Sequence, residues 1–285
     1  MNLNEPTVLP SVAFLGAGAM GGAIIRGLLN AKVKVTGGIR ATGQWSPQMQ
    51  ELTGVEDVTG YDAATDPAAN VKAVTDAGIV VLALKPDIIP RVLKEIGGAV
   101  KPGAVIVSIA AGITIATLES LLPDYVSAIR VMPNTPALVG KGVTGISAGT
   151  RASEQDMALV EQLFITVGAV LTVPENQLHS VTSISESGPA YVFFLIEQLT
   201  EVAIDKGFTP NQAALLVNGT FRGASELLAS TDRSPGELRA QVTSPNGTTA
   251  AALAILEEGG IRELFGKATD AAVFRAQELA GRQTA

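Results

Sequence analysis

The feature that most constrains this chain is Gly16-Ala17-Gly18-Ala19-Met20-Gly21, set between the apolar run at residues 11–15 and an apolar helical stretch reaching about Asn30. A GxGxxG run in that setting meets the requirements of a dinucleotide-binding turn. Gly16 permits the tight turn, Gly18 leaves the backbone open to a pyrophosphate, and Gly21 lets the helix pack on the strand. The helix N-terminus adds free amides and a positive dipole end for the anion. The competing reading is a glycine-rich turn without a ligand, and the strand–loop–helix order weighs against it.

The rest of the N-terminal half repeats the same alternation. Residues 33–36 read as a second strand. Residues 79–84 are continuously apolar, as expected of a parallel strand buried on both faces, and residues 104–109 and 126–131 look similar. Strands near 143–147 and 169–173, with a helix at 153–167 between them, finish a doubly wound α/β sheet. Residues 1–10 read as a loose arm, and residues 37–60 carry little pattern. After Pro174 the pattern turns helical. Residues 190–206 form a long apolar helix bounded by Gly207, and Thr209 with Pro210 restarts another as N-cap and first helical residue. The expected division is residues 1–173 as a Rossmann-type domain and 174–285 as an all-helical domain. A helical half this apolar is a candidate for burial between subunits.

Composition excludes several classes. With 20 basic and 27 acidic residues, the formal charge of −7 makes nucleic acid a poor partner. There is no cysteine, and His179 is the only histidine, so thiolate or His-rich metal sites and a Ser-His triad have no material. No metal is expected. Apolar runs fall short of the roughly 20 residues that span a bilayer, and the N-terminus shows no secretory pattern. A cytoplasmic protein is expected.

An NAD site usually places an acid at the end of the second strand to bind the ribose 2′-OH. The corresponding stretch, Thr36-Gly37-Gly38-Ile39-Arg40-Ala41-Thr42, has none, and Arg40 is a candidate to neutralise a 2′-phosphate. The cofactor is therefore expected to be NADPH, with NADH possible; a solvated Arg40 is the alternative. Ala83-Leu84-Lys85-Pro86 and Ser108-Ile109-Ala110-Ala111-Gly112 lie at strand ends, where ligands sit in such sheets. Arg130-Val131-Met132-Pro133-Asn134-Thr135-Pro136 is a proline-stiffened loop after a strand, a candidate floor for the nicotinamide at Asn134. In the helical half, Ser185-Glu186-Ser187-Gly188-Pro189-Ala190-Tyr191 and Ser244-Pro245-Asn246-Gly247-Thr248-Thr249 open helices. Ordinary N-capping by Ser or Thr is the favoured reading of both, and carboxylate binding is the sharper one.

Taken together, collinear along nearly the whole chain, these segments resemble the pyrroline-5-carboxylate reductase family. The resemblance implies a Rossmann domain followed by a helical domain that interlocks two subunits. It further implies reduction of 1-pyrroline-5-carboxylate, a small imino acid, to L-proline with NAD(P)H, the last step of proline biosynthesis. By position, the glycine loop, Ala83 with Lys85, Ala110 to Gly112 and Asn70 near the adenine ribose would contact the cofactor. Thr249 would hydrogen-bond the imine nitrogen, Thr248 and Gly247 would offer amides to the substrate carboxylate, and Ser187 would line the pocket. The family usually has Gly where this chain has Glu186 and Asn246. Asn tolerates left-handed backbone; Glu186 would be strained if its site required positive φ. His179 reads as a surface or interface residue.

The implied chemistry, hydride transfer to an already electrophilic iminium carbon, needs little acid catalysis from the protein. That suits a site poor in His, Cys and paired carboxylates. Two rivals share the layout. A β-hydroxyacid dehydrogenase would need a lysine in the first helix after the domain junction, and residues 187–198 contain none. A non-catalytic dinucleotide sensor would have no use for the polar cluster at 244–249.

Overall fold

The computed structural model describes residues 8–31, 33–44 and 46–281. In chain order the strands are β1 Val8–Leu9, β2 Val12–Leu15, β3 Lys34–Val35, β4 Ile39–Gly43, β5 Val58–Asp62, β6 Ile79–Leu82, β7 Val105–Ser108, β8 Ser127–Met132, β9 Gly142–Ala148 and β10 Gly168–Thr172. The helices between them include α1 Ala19–Asn30, α2 Pro47–Thr53, α3 Ala69–Val74, α4 Ile89–Ile96, α5 Ile115–Leu121 and α6 Glu154–Ile165. Eight strands form one sheet in the order β10-β9-β8-β7-β6-β2-β4-β5. All neighbours are parallel except β8 and β9, which run antiparallel. The chain winds outward from β2 in both directions, so β2 and β6 flank the point where strand order reverses. Ligands bind such sheets outside the carboxyl ends of those strands.

The central strands are apolar because helices cover both faces. Every residue of β2, β6 and β7 is buried, and two clusters, one per face, contain Phe14, Ile24 and Phe164 on one side and Leu15, Leu93 and Leu118 on the other. Ser153 opens α6 with a reciprocal capping box to Asp156.

The sequence misplaces one strand. Residues 33–36 do not supply the second strand of the sheet. Lys34–Val35 pairs only with Val8–Leu9, which lie within the stretch read as a loose arm, in a separate two-stranded ribbon; residues 1–7 are outside the described part. The sheet strand is Ile39–Gly43, paired to β2 through Val12↔Ile39 and Leu15↔Thr42. Left-handed Gly37 and Gly38 (φ 85° and 77°) turn the chain between the two short runs, and β4, α2 and β5 occupy the stretch that carried little pattern.

The described residues fall into two compact units: those up to Ser187 together with those from Ala272 on, and Gly188–Ala271. The second unit is wholly helical: Gly188–Asp205, Pro210–Ala229, Pro235–Gln241, Thr248–Glu258 and the first part of Ile261–Gly281. Thr209 caps Pro210–Ala229 through a capping box with Gln212. Gly188–Asp205 and Thr248–Glu258 bury none of their residues within the chain. Phe193 is 66% exposed and Leu215 75%. Helices this apolar need a further covering surface.

One charge lies in the core. Arg130 of β8 is 1% exposed, its Nη1 donates to Glu175 Oε1 at 3.1 Å, and its Nε has no partner. The same carboxylate oxygen accepts from Ile115 N at 2.8 Å and so ties the start of α5 to the pair. Nearby His179 has its pKa pushed down by burial and by the charge of Arg130, with Glu175 opposing.

Two outcomes follow. Truncating Glu175→Ala leaves a buried guanidinium without its counter-charge and should cost about 2–3 kcal/mol, discounted for the partial exposure of Glu175; the double variant Arg130→Met/Glu175→Leu should recover much of it. Urea titration of both variants decides this, and equal losses would remove the pair as the cause. For His179, the native state holds the imidazole neutral while the unfolded chain takes up a proton near pH ~6.5. The unfolded state then binds more protons below that pH, so stability falls as pH drops through it. His179→Gln should flatten this acid-side slope in melting curves collected from about pH 7 to pH 5.

Candidate active site

The glycine loop is pinned from two sides. Gly16 has φ 99°, and a Cβ there would stand 2.3 Å from the Ala83 carbonyl oxygen just past β6. A Cβ on Gly21 would stand 2.2 Å from the Gly16 oxygen and 3.2 Å from the Ala83 methyl. From the other side the Thr42 carbonyl accepts both Gly16 N at 3.0 Å and Ala17 N at 2.8 Å. Gly18 differs: a Cβ there would meet nothing within 4 Å. Gly18 is also the N-cap of α1, with no side-chain cap and no acid in the first turn. The amides of Ala19, Met20 and Gly21, which have no acceptor within the helix, therefore start a helix whose positive end no side chain answers.

A cleft of about 370 Å³ opens beside this loop at the carboxyl ends of β2, β4 and β6. Gly16, Thr42, Gly43, Gln44, Asn70 and Leu84 line it, with Arg91 and Glu95 of α4. Thr42 Oγ1 donates to Asn70 Oδ1 at 2.9 Å, and Asn70 Nδ2 donates to Glu95 Oε2 at 3.3 Å. The Asn70 amide is thus oriented from both ends and still has one N–H and one lone pair to offer. Thr42, Arg91 and Glu95 were missed in the sequence; a strand-end threonine and an exposed helical pair carry no signal until the cleft gathers them.

Two expected cofactor contacts stand elsewhere. Arg40 is the second residue of β4, well short of the strand end, and its guanidinium donates to the Ala73 and Thr75 carbonyls at the end of α3. It supports the end of that helix and does not face the cleft. The misplaced strand explains the error: with the second strand at 33–36, Arg40 falls beyond it, whereas with the strand at Ile39–Gly43 it falls inside. Asn134 is buried, its Nδ2 donates to Ser185 O at 2.9 Å, and its Oδ1 accepts from Val143 N at 2.8 Å. Its amide braces the loop after β8 against β9, which uses the groups a nicotinamide contact would need.

A second cavity in the same unit, about 310 Å³, is lined by Ala111, Gly112, Ser187 and Glu186 together with Arg130 and Arg275. Gly112 has φ 84°, and its Cα side rests on the backbone at Leu279. Ala110 is buried, while Lys85, exposed just before Pro86–Ile88, lines neither space. Ser187 does not cap a fresh helix. Its amide donates to Thr182 O at 2.9 Å, closing the five-residue π-helical turn Thr182–Glu186, a rare form found often at functional sites. Glu186 sits in that turn and is not among the left-handed residues, so it is unstrained.

In the helical unit, Asn246 is left-handed (φ 58°) as a glycine substitute should be. Gly247, not Ser or Thr, is the N-cap of Thr248–Glu258, and no side chain caps it. The expected side-chain capping is therefore absent at both motifs. The Gly247 amide is donated to Ser244 O at 3.0 Å, so the first-turn amides begin at Thr248. Thr248 and Thr249 are both exposed.

Residues 175–279 match the family described as pyrroline-5-carboxylate reductase dimerisation, and residues 11–112 match NADP oxidoreductase, coenzyme F420-dependent. The chain is similar to the pyrroline-5-carboxylate reductase of Corynebacterium melassecola, at 39% identity over 274 residues that cover 95% of this chain and 99% of that one. Among solved structures it is similar to a pyrroline-5-carboxylate reductase from Coxiella burnetii, with a TM-score of 0.86 and 34% identity over 94% of this chain and 98% of that one. It is also similar to the Plasmodium falciparum pyrroline carboxylate reductase solved with NADP bound, with a TM-score of 0.79 and 26% identity over 95% and 98%. With more than a third of its residues shared along nearly the full length of a curated relative, this chain belongs to the pyrroline-5-carboxylate reductase family.

Proposed function

We propose that this chain reduces 1-pyrroline-5-carboxylate to L-proline with NADPH, NADH serving as a second donor, at the last step of proline biosynthesis. The observation that carries the cofactor half is the uncapped start of α1 at Gly18, with open space where every other residue type would place a side chain. The fit is chemical as well as spatial: unanswered helix amides suit a pyrophosphate, and the end of β4 has no acid to repel a 2′-phosphate. Family membership carries the substrate half.

The chemistry that the reduced dinucleotide supplies when bound is a hydride for the imine carbon. The residues of the chain bind and orient. The glycine loop holds the pyrophosphate, and Asn70, fixed by Thr42 and Glu95, addresses the adenosine ribose. Ala83, Leu84 and the stretch from Ala110 to Gly112 give small or apolar walls. The first-turn amides at Thr248 and Thr249 take the substrate carboxylate, and the Thr249 hydroxyl is a hydrogen-bond partner for the imine nitrogen. Ser187 is a further pocket residue. No residue need change protonation state, so positioning and preorganised dipoles supply the catalysis.

Residues 1–173 serve as the dinucleotide domain and 174–285 as the domain for substrate and dimerisation. The exposed apolar helices of the second unit support an interlocked homodimer, since burial against a second copy removes that surface from water. Among the described residues no helix is long and apolar enough to cross a membrane, which together with the cysteine-free sequence supports a cytoplasmic enzyme.

Two substitutions separate fold from binding. Gly18→Ala should leave the melting temperature unchanged and raise the NADPH dissociation constant about tenfold, by crowding the pyrophosphate. Gly16→Ala should destabilise the protein, because both φ and the Ala83 carbonyl oppose a Cβ. Calorimetry and nucleotide titration test both; a Gly18→Ala protein with parental affinity would remove the loop from the site. For the substrate side, Thr249→Val should lower turnover of pyrroline-5-carboxylate about tenfold or more while NADPH affinity changes less than about twofold, the loss expected for one hydrogen bond to a charged group. Unchanged turnover would take Thr249 out of the mechanism.

A further inference from the structure

With Arg40 spent on helix carbonyls, the adenosine side of the cleft needs another answer to a phosphate. The chain from Thr42 to Gln48 at the end of β4 contains neither a cation nor an acid. Among the described residues lining the cleft, Arg91 is the only cation. It comes from α4, on the β6 side of the loop, where a reading of the β4 end would not look. Two acids line the same cleft, and both are engaged. Asp66 is paired with Lys72 Nζ at 2.7 Å, and Glu95 accepts from Asn70 at 3.3 Å.

Arg91 and Glu95 are one helical turn apart, a spacing at which opposite charges often pair, though with the basic residue N-terminal the order is the weaker one. Here Glu95 is turned to Asn70 and forms no ion pair with Arg91. The guanidinium is exposed at the cleft, and among the described residues it has no hydrogen-bond or ion-pair partner. Glu95 is also the acid nearest the ribose amide, so a 2′-phosphate there needs a cation to offset it. A planar guanidinium binds phosphate bidentately and stays charged at all working pH values.

We infer that Arg91 is the residue that binds the 2′-phosphate of NADPH and sets the preference of this chain for NADPH over NADH. This rests on the dinucleotide reading above, and it assigns to α4 the discrimination that the β4 end lacks. A 2′-hydroxyl would gain nothing from Arg91, and the Asn70–Glu95 pair suffices to hold it. The contribution of Arg91 is therefore confined to the phosphorylated cofactor.

The experiment is a direct binding titration of NADPH and of NADH, by calorimetry or nucleotide fluorescence, on the parent protein, Arg91→Ala and Arg91→Lys. In Arg91→Ala the NADPH dissociation constant should rise about tenfold or more, while that for NADH moves less than about twofold. Arg91→Lys should fall between, keeping the charge and losing the fork. The salt dependence of NADPH binding should also weaken in Arg91→Ala, since one exposed charge contact is gone. Equal weakening of both cofactors would overturn the assignment and place Arg91 on the part they share, such as the adenine. Unchanged binding of both would overturn it as well. A parent protein that bound neither nucleotide would instead overturn the dinucleotide reading itself, so the two failures are told apart.

Discussion

The contact on which the site depends is the approach of Gly16 to the Ala83 carbonyl, closer than any side chain permits. It joins the end of β2 to the end of β6 at the place where strand order reverses. The Thr42 carbonyl holds the same loop from β4 by taking two successive amides. Clamped between its two neighbours, the loop leads directly into α1, and its Gly16 end lines the cleft. The uncapped start at Gly18 leaves amides without partners that a Ser or Asp would have satisfied. A helix start held this closely and left uncapped is open to an anionic ligand.

Around that clamp, polar side chains divide into those used up by the fold and those left over. Arg130 with Glu175, Asn134 with Ser185 and Val143, and Arg40 with the carbonyls at the end of α3 all belong to the first group. Each ties one element of the fold to another and leaves its side chain little bonding capacity for a ligand. Asn70 and Arg91 belong to the second. Asn70 is held in place yet keeps bonding capacity, and Arg91 keeps all of it. Counting the remaining donors and acceptors, residue by residue, identifies the groups that can meet a cofactor better than their position in a motif does.

The helical unit obeys a different constraint. Its long helices leave large apolar side chains such as Phe193, Leu215 and Leu264 exposed, and Gly188–Asp205 buries nothing within its own chain. A single copy cannot complete its own core, so the segment has meaning only as part of an assembly. The small N-terminal turn before Thr248 keeps its amides and hydroxyls exposed on this same unit. The exposed turn and the uncovered apolar helices therefore belong to one and the same unit.

Local patterns in the sequence suffice for much of this. The glycine spacing after an apolar strand, the run of buried strands, the change to helix after Pro174 and the cap at Thr209 each follow from residues within a turn or a strand of one another, which is the range over which sterics and periodicity act. The collinear motifs brought the family as well. What lay beyond reach were the partners of polar side chains. Arg40 bonds residues 33 and 35 positions away, and Asn134 bonds one 51 positions away. A two-residue ribbon took the place assigned to a sheet strand, and that small shift of register moved Arg40 from the site to the scaffold. The cleft collected Thr42, Asn70, Arg91 and Glu95 from three separate elements. Such partnerships are set by the packing of distant segments, a property of the folded chain that no local stretch of it contains.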